Sequence, residues 1–222
     1  IVVVHGGGPR IKRELDKSNI QTKFIRGLRV TDKSIINIVE SVLIDFNEDI
    51  VSSLEKKSSR ALSINTKKNN IITVVPESKE LGFVGIPSKI NIEVIKSAIK
   101  KNIIPIISPL GIGVDNKTYN INGDTAAGAI AKSLKSRRLL LMTNVRGVLN
   151  SEKKLIEEIS SSEILDMIDK EIITEGMIPK INTCLDAVNN GVAAVGIIDG
   201  REKHSILFEI FSDKGSGTLI RK

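Results

Sequence analysis

Ile1-Val2-Val3-Val4-His5-Gly6-Gly7-Gly8-Pro9 decides the fold: an apolar, β-branched run, then three glycines, then a proline. The run reads as a buried strand. Pro9 suits the first turn of a helix, where a missing N–H costs nothing. Glycines between a strand and a helix let backbone N–H groups approach an anion with no Cβ in the way. The helix dipole at that end favours negative charge. A tight turn without a ligand is the plain alternative. An esterase oxyanion hole is another, but that fold needs a Gly-x-Ser-x-Gly elbow, and the sequence has none. Gly-x-x-x-x-Gly-Lys-Ser/Thr and Gly-x-Gly-x-x-Gly are absent as well, so the P-loop and dinucleotide readings fail.

Working outward, strand and helix signals alternate. Ile35, Ile38, Val39, Val42 and Phe46 share one helical face behind Thr31, which reads as the N-cap. Asn91 caps a shorter helix carrying Ile92, Ile95 and Ile99. Residues 103–107 form a buried strand, although Pro105 disfavours a central, fully bonded one. Ala127, Ile130, Ala131 and Leu134 make a helical stripe, and residues 139–142 a strand. Ile181, Cys184, Leu185 and Val188 form another helix, stopped by Gly191, before a strand over 192–198. Residues 67–75 and 82–85 read as a hairpin excursion. The alternation predicts an α/β fold with a mostly parallel sheet. No Pro- or Ser-rich linker interrupts it, so two lobes sharing one continuous sheet are expected.

The chain has 222 residues and is 41% hydrophobic, enough for one sizeable core or two small lobes. No apolar run reaches the roughly 18–20 residues of a membrane span, and no basic-then-apolar leader is visible. The single Cys184 cannot form an internal disulfide and fits a reducing compartment. Beginning without methionine inside a strand, the chain reads as part of a longer protein. The net charge of +7 comes from basic pairs scattered among acidic residues, and aromatics are only 3%. Nucleic-acid surfaces concentrate their charge and add stacking partners, so no nucleic-acid or membrane partner is expected. His5 and His204 are too few for a metal cluster, and Cys184 sits in a core stripe.

Other segments are individually ambiguous. Arg29, in Gly27-Leu28-Arg29-Val30-Thr31-Asp32, could clamp a carboxylate bidentately, but alone it reads as a solvated arginine. Asp124, after Asn120-Ile121-Asn122-Gly123, reads as a helix N-cap that could also orient lysines. Lys180 sits in a first helical turn, where the dipole mildly disfavours it; it is either functional or a snorkelling surface lysine. Residues 143–149 follow a strand at the end where α/β folds bind ligands.

Together, VVHGGGP, GLRVTD, NINGD, TNVRGVL, ITEGMIPK and IIDGREKHSILFEIFSDKGSGTLI, in this order, resemble the acetylglutamate kinases of the amino-acid kinase family. The resemblance implies an open three-layer αβα sandwich with a mostly parallel central sheet. Residues 1–133 would bind N-acetylglutamate and residues 134–222 would bind ATP, with Mg²⁺ on its phosphates. By motif, Gly7 and Gly8 would line the acceptor and the transferring phosphoryl group. Arg29 would hold the acceptor's α-carboxylate, and Asn120 would also contact the acceptor. Asn144, Val145, Arg146, Gly147, Val148, Leu149, Ile173, Thr174 and Glu175 would hold the nucleotide. Lys180 would neutralise the transferred phosphoryl, and Asp124 would orient the lysines. Family members begin with a Lys-x-Gly-Gly strand, expected upstream of Ile1. Asn144 stands where the family usually has Asp, and Gly123 where it usually has Ala. A homo-oligomer (dimer or larger) in the cytoplasm or an organelle interior is implied. Weak inhibition by arginine is expected through Glu209 and Gly215, although Leu207, Phe208, Ile210 and Phe211 around Glu209 read as core packing. A kinase for an acetylated or carrier-bound aminoadipate, and an inactive regulatory homologue, are the other readings.

Overall fold

The computed structural model describes residues 1–173, 177–212 and 215–222. It divides into two compact units, Ile1–Ala127 and Gly128–Lys222. None of the described helices is long and apolar enough to cross a membrane.

Unit 1 begins with β1 (Val3–Val4), α1 (Gly8–Lys17), the short pair β2 (Phe24–Ile25) and β3 (Leu28–Arg29), and the 23-residue α2 (Lys33–Glu55). Then come β4 (Ala61–Ile64), β5 (Ile72–Pro76), β6 (Gly85–Ile90), α3 (Ile92–Lys100), β7 (Ile104–Ile107), β8 (Leu110–Gly113) and β9 (Thr118–Asn120). The unit ends within α4 (Gly123–Leu134). One sheet is fully parallel, in the order β1-β7-β4; a second, mixed sheet runs β6-β5-β8-β9. The expected hairpin is β5 against β6, antiparallel.

The apolar spacing of α2 aims Ile35, Val39 and Leu43 at Ile11 and Leu15 of α1 and at Leu110, forming one buried cluster. Removing such side chains from water is the main stabilising term, roughly 1.5–3 kcal/mol for each. Pro9 lies in the first turn of α1, as its chemistry predicts. Asn91 caps α3 by accepting from Glu93 N–H at 3.2 Å.

Three local expectations are corrected. The cap of α2 is Asp32, whose Oδ1 accepts from Ser34 N–H at 2.8 Å and Ile35 N–H at 3.0 Å. Thr31 is fully buried, and its hydroxyl donates to Arg29 O at 2.9 Å. The cap of α4 is Asn122, accepting from Asp124 N–H at 2.9 Å and Thr125 N–H at 3.1 Å, which puts Asp124 inside the first turn. Pro105 lies in the central strand of its sheet. Ile104 N–H bonds Arg60 O at 2.9 Å on the β4 side. Alternation turns the Pro105 nitrogen toward β1, where pairing starts only at Val3↔Ile106, so no ladder bond is lost.

Unit 2 holds β10 (Leu139–Thr143), β11 (Glu158–Ser160), α5 (Ser161–Asp169), α6 (Ile178–Asn189), β12 (Val195–Asp199), α7 (Ser205–Phe211) and β13 (Gly217–Arg221). Its sheet runs β10-β12-β13-β11, with β10 parallel to β12 and β11 parallel to β13. Cys184 is fully buried, in the stripe where its spacing put it.

Candidate active site

In unit 1 the glycine loop, Phe24, Arg29, Asn120 and Gly123 line a cavity of about 190 Å³. The glycines have different reasons to be there. A Cβ on Gly7 would overlap Leu43 Cδ2, whereas a Cβ on Gly6 or Gly8 would meet nothing within 4 Å. Gly7 is therefore required by packing against α2, and Gly8 leaves the cavity side open. Gly7 O accepts the first helical bond, from Ile11 N–H at 2.8 Å. Among the described residues, the N–H groups of Gly6, Gly7 and Gly8 have no hydrogen-bond partner, the condition of a helix N-terminus able to hold an anion.

Arg29 corrects its own sequence reading. It is not solvated but only 9% exposed. The β2–β3 hairpin brings its guanidinium 4.7 Å from the Phe24 ring centroid, and Nη1 donates to Thr22 Oγ1 at 2.8 Å. Burial lowers its pKa, with Asp16 opposing; an arginine remains charged regardless. Among the described residues it has no ion-pair partner. A desolvated cation on a cavity wall is stabilised by a carboxylate ligand. Asn120 ends β9, its N–H held by Phe83 O at 2.9 Å. Thr22 and Phe24 carried no sequence signal; only the hairpin brings them to Arg29.

In unit 2 the loop after β10 leaves Asn144, Val145 and Arg146 exposed and buries Gly147 and Val148. Val148 N–H donates to Thr218 Oγ1 at 2.8 Å, and that hydroxyl donates to Ile156 O at 2.7 Å. Gly147 has φ +144, which strains any other residue. Leu149 bridges to Leu155. The adjacent end of β12 carries Asp199, level with Thr143. Arg201 Nε and Nη2 donate to its two carboxylate oxygens at 2.9 and 2.7 Å. These bonds, chiefly, pull the Asp199 pKa from 3.8 to about 2, with Arg146 helping. Asp199 was legible only as the end of an apolar run. Ile173 is buried, its N–H on Met167 O at 3.3 Å. Thr174 and Glu175 lie outside the described residues. Lys180 is half-buried in the first turn of α6, and Asp124 half-buried in that of α4.

Around Glu209 the expectation of apolar core packing is reversed. Leu207, Phe208, Ile210 and Phe211 are exposed, and Glu209 is 6% exposed. α7 is turned so that the carboxylate faces inward. It accepts from Ser216 N–H at 2.9 Å and lies 3.7 Å from Arg138. A Cβ on Gly215 would come within 2.7 Å of its Oε2.

A mixed α/β frame, a glycine loop at a helix N-terminus and a second strand-end loop are the parts of a phosphoryl-transfer fold, and residues 1–199 match the amino acid kinase family. The chain belongs to that family. An acetylglutamate kinase of Pelagibacter ubique (strain HTCC1062) is 58% identical over 221 residues, covering 100% of this chain and 77% of that one. The acetylglutamate kinase of Clostridioides difficile (strain 630) is 48% identical over 227 residues, covering 100% and 79%. The crystal structure of smu.665 from Streptococcus mutans UA159 superposes with a TM-score of 0.85 at 32% identity, covering 99% of this chain and 85% of that one. Within the family, the chain groups with the acetylglutamate kinases.

Proposed function

We propose that the protein transfers the γ-phosphoryl group of ATP to the side-chain carboxylate of N-acetyl-L-glutamate, forming the acyl phosphate used in arginine biosynthesis. One observation carries this reading: the unit 1 cavity joins unpartnered glycine-loop N–H groups to a buried, unpaired Arg29 among the described residues. Arg29 would take the acceptor's α-carboxylate, and Asn120 would contact the acceptor. Gly7 and Gly8 N–H groups would meet oxygens of the acceptor and the transferring group. The acceptor carboxylate is ionised at neutral pH and needs no general base. The protein's task is therefore positioning and charge stabilisation.

Unit 2 would bind ATP through residues 144–149 and 173–175. Lys180 would neutralise charge on the transferred phosphoryl, and Asp124 would orient the lysines. Mg²⁺ would be held through the nucleotide phosphates, with few direct protein ligands. There the ion would neutralise phosphate charge. Homo-oligomeric assembly, a cytoplasmic or organellar setting and arginine binding at Glu209 and Gly215 belong to the same proposal.

The test is trapping of the acyl phosphate with hydroxylamine, using the full-length protein, ATP and Mg²⁺. N-acetyl-L-glutamate should exceed N-acetyl-L-aminoadipate in kcat/KM by about 10-fold or more, the worth of one methylene. A preference for the longer acid would reassign the substrate. Substrate binding without turnover would mark a regulatory homologue.

A further inference from the structure

Behind the glycine loop lies a line of buried polar side chains without a role so far. His5 is 7% exposed and Asn47 fully buried, although they are 42 residues apart in sequence. His5 Nδ1 is 3.1 Å from Gly6 O. A carbonyl oxygen only accepts, so Nδ1 carries the proton and Nε2 is an acceptor. Asn47 supplies the matching donor: its Nδ2 lies 3.1 Å from Nε2 and 3.0 Å from Ile106 O, using both amide protons. The Ile106 carbonyl, which only accepts, fixes the amide's orientation, and Oδ1 on the other side accepts from Ser63 Oγ at 2.7 Å. Ser108 Oγ lies 3.2 Å from Nε2 and 3.3 Å from Leu43 O, and its single proton serves one of these two acceptors at a time. Phe46 closes the imidazole edge-on, with ring centroids 5.0 Å apart. The Gly6 O and Asn47 Nδ2 contacts are both satisfied by one tautomer, the Nδ1–H form.

Three consecutive glycines have no side chains with which to hold their own conformation, and their backbone entropy is the largest of any residue. The loop must be held from outside. The peptide between Gly6 and Gly7 is planar and trans, so its C=O and N–H point in opposite directions. A donor fixed on Gly6 O therefore fixes the direction of the Gly7 N–H, away from His5.

We propose that His5 is the positioning residue of the glycine loop: Asn47 holds its imidazole as the Nδ1–H tautomer, and that proton anchors Gly6 O so that the Gly7 N–H is presented to the transferring phosphoryl group. The catalytic part rests on the phosphoryl-transfer reading above. The Nδ1–H anchor itself rests on geometry alone.

An asparagine side chain places its amide nitrogen where imidazole Nδ1 lies, and a glutamine places it where Nε2 lies. His5→Asn therefore keeps the donor to Gly6 O, and His5→Gln removes it. In the full-length protein, His5→Gln and Asn47→Leu should lower kcat by about 10- to 100-fold, the range of a small misplacement of reacting groups. Both KM values should stay within about 3-fold, because the loop acts on charge that rearranges during transfer. His5→Asn should stay within about 5-fold of wild-type kcat. Equal loss in His5→Asn and His5→Gln would overturn the proposal, as would variants that lose thermal stability but keep kcat. A second readout does not depend on activity. ¹⁵N imidazole shifts, assigned by the signals lost in His5→Asn, report the His5 tautomer directly. The Nδ1–H form is expected in wild type, with mixing of tautomers in Asn47→Leu. An Nε2–H wild type would sink the inference whatever the activity. A wild type that holds the Nδ1–H form but leaves N-acetylglutamate unphosphorylated would count against the functional reading and leave the anchor standing.

Discussion

Alanine at Gly7 and alanine at Gly8 should fail in opposite ways, although they are neighbours in one loop. At Gly7, φ is −150°, outside the left-handed region that favours glycine. The obstacle is packing. A Cβ there would overlap Leu43 Cδ2 and lie 3.5 Å from both Leu43 Cγ and Ile11 Cδ1. Leu43 is 1% exposed, enclosed by Ile35, Val39 and Leu110, so it has little room to swing away. Overpacking of this kind costs about 1–3 kcal/mol. Replacing glycine returns about 0.4–1 kcal/mol through the unfolded chain. The net loss is about 1–2 kcal/mol, a fall in Tm of roughly 2–8 °C for a protein of this size. At Gly8 the same methyl meets nothing within 4 Å on a residue that lines the cavity. Gly8→Ala should hold or slightly raise Tm while lowering kcat about 10-fold or more, since the methyl occupies space kept for the phosphoryl group. Thermal unfolding and steady-state kinetics on both variants read these directly. A double-mutant cycle locates the cause: in a Leu43→Ala background the Gly7→Ala penalty should shrink by about 1–2 kcal/mol. Strict additivity, or a Gly8→Ala variant that is destabilised yet fully active, would refute the assignment of the two glycines.

Arg29→Lys should raise the acceptor's KM by about 10-fold or more with little change in kcat, because a lysine cannot reproduce the planar fork. Lys180→Ala should instead lower kcat far more than it raises the KM for ATP; the reverse pattern would exchange their roles. Asp199 predicts an acid limb in stability. Its folded pKa, about 2, lies below the ordinary 3.8, so its contribution is full above the ordinary value and is lost as pH falls from about 4 toward 2. Arg201→Ala should flatten that limb in pH-dependent denaturation, and an unchanged curve would contradict the pairing. Glu209→Ala should abolish any arginine response but also lower Tm, because Ser216 N–H loses a buried acceptor and Arg138 its ion-pair partner. A variant with wild-type Tm would mean that the Glu209 contacts contribute nothing to stability.

The periodic signals were legible in the sequence because they repeat locally. The apolar face of α2, the strand before residue 143 and the core placement of Cys184 each follow from spacing along a single element. So does the strand–glycine–helix turn, since its glycines and proline act through their own backbones. Position by position the readings were weaker. Thr31 and Asp32 are both good caps, and the choice fell to Asp32 because Thr31 is fully buried. Asn122, not Asp124, won at α4 for a similar reason: where the chain enters the helix depends on the strand before it. Pro105 is tolerated in a central strand because its neighbour's ladder starts one residue later. On α7, four apolar side chains face solvent and one carboxylate faces inward, since Arg138 and a backbone N–H await it there. Arg29 became a buried cation only when a hairpin folded over it. His5 found its tautomer only once Asn47, 42 residues away in sequence, was brought against its Nε2. The sequence by itself determined which segments are helix or strand and where the glycine turn lies, because those depend on near neighbours. Only the tertiary structure decided burial, pairing and proton placement, because each is set by groups that meet after the chain has folded.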